Sequence, residues 1–234
     1  MSKEKNVLDS LNVNHKEAIE AGDNHLSAAV KTPLRNDAFD LDDREKIEII
    51  EKHFAEIMQT LGLDLKDESL KGTPYRVAKM YVKEIFHGLN PKNRPDAKKF
   101  GNKYQYGDMV VVKNINVTSF CEHHFLPFLG KAHIAYYSTG QVIGLSKINR
   151  IVDYYSRRPQ VQERLTLQIA DELQAALESE DVAVFIESKH LCVSTRGIED
   201  RDSSTVTTEY RGKFKEELTQ QRFIDYFRAQ TEMG

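Results

Sequence analysis

The chain is predicted to be an α+β protein, an antiparallel sheet covered by helices on one face and preceded by a helical region. Three observations predict this. Apolar residues recur at helical spacing between Ile47 and Leu61, and the period drops to two from Met109 onward. Helical stripes and strand-like runs then come in blocks rather than in regular alternation, which favours antiparallel over parallel pairing. At 234 residues there is room for one sizeable domain with a real core and an N-terminal extension.

Residues 1–41 show no sustained apolar period, and Asn, Asp, Lys and Ala dominate, so they are expected to form a flexible polar arm with at most one short helix. The folded domain is expected over 42–234, with a helical part at 42–90, a sheet core at 107–214 and a closing helix within 215–234. Ile47, Ile50, Phe54, Ile57, Met58 and Leu61 make the first stripe, which Gly62 ends. Thr73 reads as an N-cap with Pro74 at the first helical position, opening a helix that reaches His87-Gly88. Arg76 and Lys79 lie three apart on it and share a face. Residues 91–106 read as a polar loop.

Strands follow at 109–118 and 131–137, rich in Val, Ile and Tyr, joined through the segment around Cys121. Ser146 reads as the N-cap of a helix that buries Ile148, Ile151, Val152 and Tyr155. Pro159 marks the next start, with Val161, Leu165, Ile169, Leu173 and Leu177 on one stripe. A third strand is expected at 182–194, a fourth at 204–211, and a last helix at 216–229. No internal repeat or low-complexity tract interrupts this order.

Charge narrows the function. With 33 basic and 36 acidic residues the net charge is −3, so no overall basic field invites nucleic acid. No apolar run approaches the length that spans a bilayer, and Met1 to Val30 lacks the apolar core of a signal peptide. A cytoplasmic setting is expected, in which thiols stay reduced.

Only two cysteines occur, each within three residues of a histidine: Cys121-Glu122-His123-His124 and His190-Leu191-Cys192. Such residues can simply be packed in a core, and two thiols can form a disulfide, though not readily in a reducing compartment. The simplest joint reading is one metal site, with Cys121, His124 and Cys192 as ligands suited to zinc. Three protein ligands leave a position open, which is the mark of a catalytic rather than a structural zinc site. His190 and Cys192 share even parity with Val182, Val184 and Ile186, so in an unbroken strand they face one way. His123 adjoins His124. An open metal site flanked by two spare imidazoles is equipment for hydrolysis, with hydroxide available near neutral pH and histidines to move protons. The plainer reading of His123 and His190 is support of the metal ligands or of the core.

Other residues point to an anionic substrate. Ser146, Lys147 and Arg150 occupy the first turns of a helix, where free N–H groups and the dipole attract anions but basic side chains do not help the helix itself. Arg196 follows four residues after Cys192, and Arg76 and Lys79 add positive charge. The Gly130-Lys131 pair is not a phosphate loop, because Phe125 stands where the first glycine belongs and Ala132 where Ser or Thr belongs. Glu163, beside Gln162, sits in a first helical turn, where it either complements the dipole or accepts two N–H donors from a purine edge.

The ordered series Cys121-Glu122-His123-His124-Phe125-Leu126-Pro127-Phe128, Gly144-Leu145-Ser146-Lys147-Ile148-Asn149-Arg150, Arg158-Pro159-Gln160-Val161-Gln162-Glu163-Arg164, His190-x-Cys192 and Arg196-Gly197 resembles GTP cyclohydrolase I. The likeness extends from the Thr73-Pro74-x-Arg76 helix to Gly212-Lys213-Phe214, outside the first forty or so residues. It implies a tunnelling fold, in which subunits join their sheets into a barrel, and a homo-oligomer, a decamer, with sites between subunits. The implied reaction converts GTP and water to 7,8-dihydroneopterin triphosphate and formate. Carried over by resemblance, Cys121, His124 and Cys192 hold zinc, and His190 and His123 are catalytic. Glu163 with Gln162 anchors guanine. Ser146, Lys147, Arg150 and Arg196 bind triphosphate, Arg76 and Lys79 joining them, and Ser146 also serves the ribose rearrangement. Two rivals stand beside this: a related tunnelling-fold enzyme acting on another pterin or a deazapurine, and a zinc-stabilised structural or nucleic-acid-binding module.

Overall fold

The computed structural model describes residues 29–96 and 99–229. Contacts divide the chain into Met1–Pro33 and Leu34–Gly234, and every described helix and strand lies in the second unit. The arm expected over 1–41 falls outside the described residues up to position 28.

Helix α1 (Asp43–Thr60) starts where the charge pattern allows it. The Asp42 carboxylate accepts from Glu45 N–H at 2.9 Å and the Glu45 carboxylate accepts from Asp42 N–H at 2.8 Å, a reciprocal cap. Gly62, at φ +84°, ends the helical region as expected. Helix α2 (Thr73–Met80) is capped one residue earlier than expected, at Gly72, and widens into a π-helical turn over Tyr81–Ile85. The stretch expected to be a polar loop contains strand β1 (Lys99–Gly101), which pairs with β4 (Gln141–Ile143).

The main sheet has the order β5-β2-β3-β6-β7, formed by β2 (Met109–Cys121), β3 (Pro127–Tyr137), β5 (Pro159–Gln160), β6 (Val182–His190) and β7 (Thr205–Tyr210). All neighbours are antiparallel except the two-residue β5, which runs parallel to the end of β2. In β2 an extra residue enters the ladder between Val112 and Ile115, with Asn114 at φ +62°. Asparagine tolerates that left-handed conformation better than most side chains, and the bulge reverses the parity of the strand. Val110 and Val112 before it, and Ile115 and Val117 after it, therefore all join one core.

That core lies between the sheet and two helices, α3 (Leu145–Ser156) and α4 (Gln162–Leu177). Ala132, Ile134 and Tyr136 of β3 and Val182, Val184 and Ile186 of β6 meet Ile148, Ile151 and Val152 of α3 and Leu165, Ile169, Leu173 and Leu177 of α4. The expectation of helices on one face needs correction. The opposite face buries Met109, Ala135, Tyr137 and Ala183 against Phe214 and against Phe223 of the last helix, α6 (Glu217–Arg228). An apolar patch on the far side of the sheet needs cover, and the Phe223/Phe227 stripe of α6 supplies it.

The third strand is also shorter than expected. It ends at His190, and a helical turn, α5 (Leu191–Ser194), carries Cys192 off the sheet, with Thr195 N–H donating to Leu191 O at 3.0 Å. Helix α3 begins after Gly144 and not at Ser146, and α4 after Val161.

Candidate active site

The first of the two cysteine segments closes the β2–β3 hairpin. Cys121 N–H donates to Leu126 O and Phe125 N–H to Cys121 O, both at 2.9 Å, so residues 122–126 form a tight loop. Phe125 takes φ +54°, a conformation that costs an ordinary side chain about 1–2 kcal/mol. Its ring rests edge-on against Phe86 at 5.3 Å, which helps hold the turn. The loop thus projects His123 and His124 together from the sheet end.

Cys121, His124 and Cys192 converge, with one potential ligand atom from each lying within 4.8 Å of the others. Cys121 Sγ stands 3.9 Å from His124 Nδ1. Tetrahedral bonds of about 2.3 Å to sulfur and 2.1 Å to nitrogen put neighbouring ligand atoms about 3.6–3.8 Å apart, so the cluster fits a zinc-sized cation after slight contraction. The donor chemistry agrees. Burial and then the neighbouring Cys121 push the Cys192 thiol up to about 11. A thiol held so resists ionisation until a cation stands beside it to share the sulfur.

His190 sits on the helix-covered face of β6, where its strand parity places it. Its ring stacks on Phe128, its register partner on β3, at 4.5 Å and 12°. Its Nε2 lies 2.8 Å from Gln162 Oε1. Burial lowers the pKa of His190, and the Glu163 carboxylate acts in the opposite sense. His123 Nδ1 is 3.6 Å from Cys121 Sγ, so the second imidazole also borders the cluster.

The N-terminal turns of α4 hold both halves of this arrangement. Gln162 is buried and reaches His190, while Glu163, the next residue, is exposed. Arg164 is buried and grips Glu122, inside the hairpin loop, and also donates to Gln160 Oε1 at 2.9 Å and Pro159 O at 3.0 Å. Glu122 N–H in turn donates to Gln160 O at 3.0 Å. Neither Glu122 nor Arg164 was singled out from sequence, because a buried ion pair and a solvated one look alike in a motif.

The predicted anion contacts divide. Arg196 is brought to the cluster, its Nη1 2.6 Å from His124 Nε2. Ser146 and Lys147 open α3, whose cap residue Gly144 offers no side chain, and Arg150 follows one turn on. The far end of α3 leads into β5 beside Phe120 and Cys121, so the Ser146 turn is at the other end of a helix about 18 Å long. Arg76 folds back on its own loop, donating to Thr73 Oγ1 at 2.7 Å and Ser69 O at 3.2 Å, and Lys79 lies exposed on the same helix.

Comparison with known proteins decides the family. A GTP cyclohydrolase I family model matches residues 50–228. The chain belongs to the GTP cyclohydrolase I family. It is 62% identical over 213 residues to GTP cyclohydrolase 1 of Flavobacterium johnsoniae, covering 91% of this chain and 96% of that one. Identity to GTP cyclohydrolase 1 of Aeromonas hydrophila is 52%, over 80% of this chain and 84% of that one. For Salmonella arizonae the figures are 49%, 89% and 95%. The matched span contains the hairpin, α3, the start of α4 and the Cys192 turn. Among the described residues no helix is long and apolar enough to cross a membrane.

Proposed function

We propose that the chain is a zinc-dependent GTP cyclohydrolase, converting GTP and water to 7,8-dihydroneopterin triphosphate and formate as the first step of pterin biosynthesis. One observation carries this reading: the convergence of Cys121, His124 and Cys192 beside His190, in a chain 62% identical to a GTP cyclohydrolase 1.

Cys121, His124 and Cys192 would hold the metal. Zinc held there would activate a water near neutral pH as the nucleophile for an electron-poor carbon. Guanine C8 is that carbon, and His190 makes it more electrophilic by giving a proton to the imidazole ring of the purine. His123, bordering the cluster, handles protons as the ring opens and a second hydrolysis frees formate. The exposed Glu163 carboxylate accepts the two N–H donors of the guanine edge, and Gln162 stands beside it. Arg196, with Ser146, Lys147 and Arg150, neutralises the triphosphate, Arg76 and Lys79 adding charge further out. Ser146 assists when the ribose rearranges and closes onto the amines.

The domain, residues 42–234, works as a homo-oligomer, a decamer with the tunnelling fold. Strand β7 ends the sheet with one side of its ladder open, which supports sheet continuation into a neighbour. The place of the Ser146 turn, at the other end of α3 from β5, supports sites shared between subunits. The setting is cytoplasmic, where thiols stay reduced and can bind metal, and the free state of Cys121 and Cys192 supports it.

The test is formate release from GTP, with GDP and GMP as controls, alongside metal analysis of the same protein. Formate from GTP and about one zinc per chain are expected. The Cys192→Ala variant should lose both together. No formate from GTP in zinc-loaded protein overturns the reading.

A further inference from the structure

Gln162 stands next to the carboxylate assigned to guanine, yet its own amide points elsewhere. It is 2% exposed, and its Nε2 donates to Thr205 O at 3.0 Å, Ile186 O at 3.2 Å and Thr207 Oγ1 at 3.1 Å. Two of these partners are backbone carbonyls, which only accept, so the nitrogen end of the amide must face them. The oxygen end then faces His190 Nε2 at 2.8 Å, and as an acceptor it requires a hydrogen on that nitrogen. The orientation is thus fixed by the chemistry of the neighbours. Phe128, stacked on the ring, blocks the remaining freedom to tilt.

We propose that Gln162 is a positioning residue, which locks the His190 ring with Nε2–H bonded to its amide oxygen and leaves Nδ1 as the nitrogen that meets substrate, where it takes up the second proton that it then gives to the purine. This deepens the reading of His190 as a proton-handling group and rests on it. Gln162 itself then makes no side-chain contact with guanine. The tether is also a clamp between elements, because the same amide ties the start of α4 to β6 and β7. The proton-handling imidazole, the guanine carboxylate and the loop anchor Arg164 are therefore set by three consecutive residues of one helix.

Solid-state 15N spectra of histidine-labelled, zinc-loaded enzyme test this directly, the His190 signals being identified by their loss in His190→Asn. The Nε2–H form of the neutral ring is expected in the wild type. An Nδ1–H ring there overturns the proposal without reference to turnover or to any variant. In Gln162→Met, kcat should fall about 100-fold, the scale of a misplacement near 1 Å, while KM for GTP and bound zinc stay within about twofold. Thr207→Val removes one bond of the clamp but keeps the bond to His190, and should hold kcat within about twofold. A rise in KM at unchanged kcat in Gln162→Met would make the residue a guanine contact instead. Equal losses of kcat in Gln162→Met and Thr207→Val would make it merely structural. Absence of formate from the wild type would strike the enzymatic reading and leave the ring measurement standing.

Discussion

Arg164 lies against Glu122, the residue that separates Cys121 from His123, and its side chain is only 3% exposed. The first turns of α4 thereby grip the hairpin loop at its centre. An arginine this deep needs partners, and its Nε reaches Gln160 while its Nη2 reaches Glu122 and Pro159. The pair holds the hairpin loop to the helix that also carries Gln162 and Glu163.

Glu122→Ala should therefore cost about 3 kcal/mol of stability, because it strands a buried guanidinium. Bound metal should weaken by about 10- to 100-fold, as when a ligand loses its support. Thermal unfolding and competition with a chelator measure the two. Unchanged values in both would show that the loop is held by its backbone alone.

Glu163→Gln replaces two acceptor oxygens by one acceptor and one donor at the edge assigned to guanine. KM for GTP should rise about 10- to 100-fold, the scale of a lost charge-assisted hydrogen bond. Metal content should not change. An unaltered KM would return Glu163 to the simpler duty of facing the helix dipole.

Gly130→Ala should break the sheet. A Cβ at this position would lie 2.0 Å from Glu187 O and 2.3 Å from Ser188 Oγ, on the strand paired with it. The strands cannot separate without losing the ladder that carries His190, so a cost of about 3 kcal/mol or more is expected. Soluble yield and urea unfolding give the readout.

His133 is a pH gauge on the opposite face of the sheet. Its ring stacks on Phe227 at 4.2 Å and its Nδ1 accepts from Asn114 N–H at 3.4 Å. Burial lowers its pKa from 6.5 to about 4, with Glu187 opposing and Lys113 and Lys131 adding. The unfolded chain then binds more protons between those values, so stability is complete above pH 6.5 and falls as pH drops toward 4. At pH 5 the loss is about 2 kcal/mol. Urea midpoints at pH 7 and pH 5 should differ accordingly, and His133→Phe should reduce the difference.

The strongly periodic elements were legible. The stripes of α1, α3 and α4 formed where the spacing put them, and β2 and β6 begin where expected. The convergence of Cys121, His124 and Cys192 was legible too, because two cysteines beside histidines are scarce in any chain. What escaped was information that lives in pairing. The three-residue strands β1 and β4 lie 40 positions apart, and neither has a recognisable pattern alone. The end of β6 at His190 was hidden because Val193 continues the β-branched character without a glycine or proline to mark the turn. The face covered by α6 could not be known, since its aromatic stripe fits either side of a sheet. Arg164 read as an ordinary surface charge for want of its distant partner.

The single extra residue at Asn114 gives the strand something like a reading frame. Cys121 comes seven positions later, so the alternation has already been switched eight residues before the hairpin loop begins. Shortening β2 by one unit there would turn Ile115, Val117 and Cys121 outward together, whereas a similar change in the turn at 138–140 would leave them undisturbed. A change of length is therefore better borne in the turn at 138–140 than inside this counted segment, and a deletion at that asparagine is expected to pull Cys121 away from His124 and Cys192 without altering any of the three.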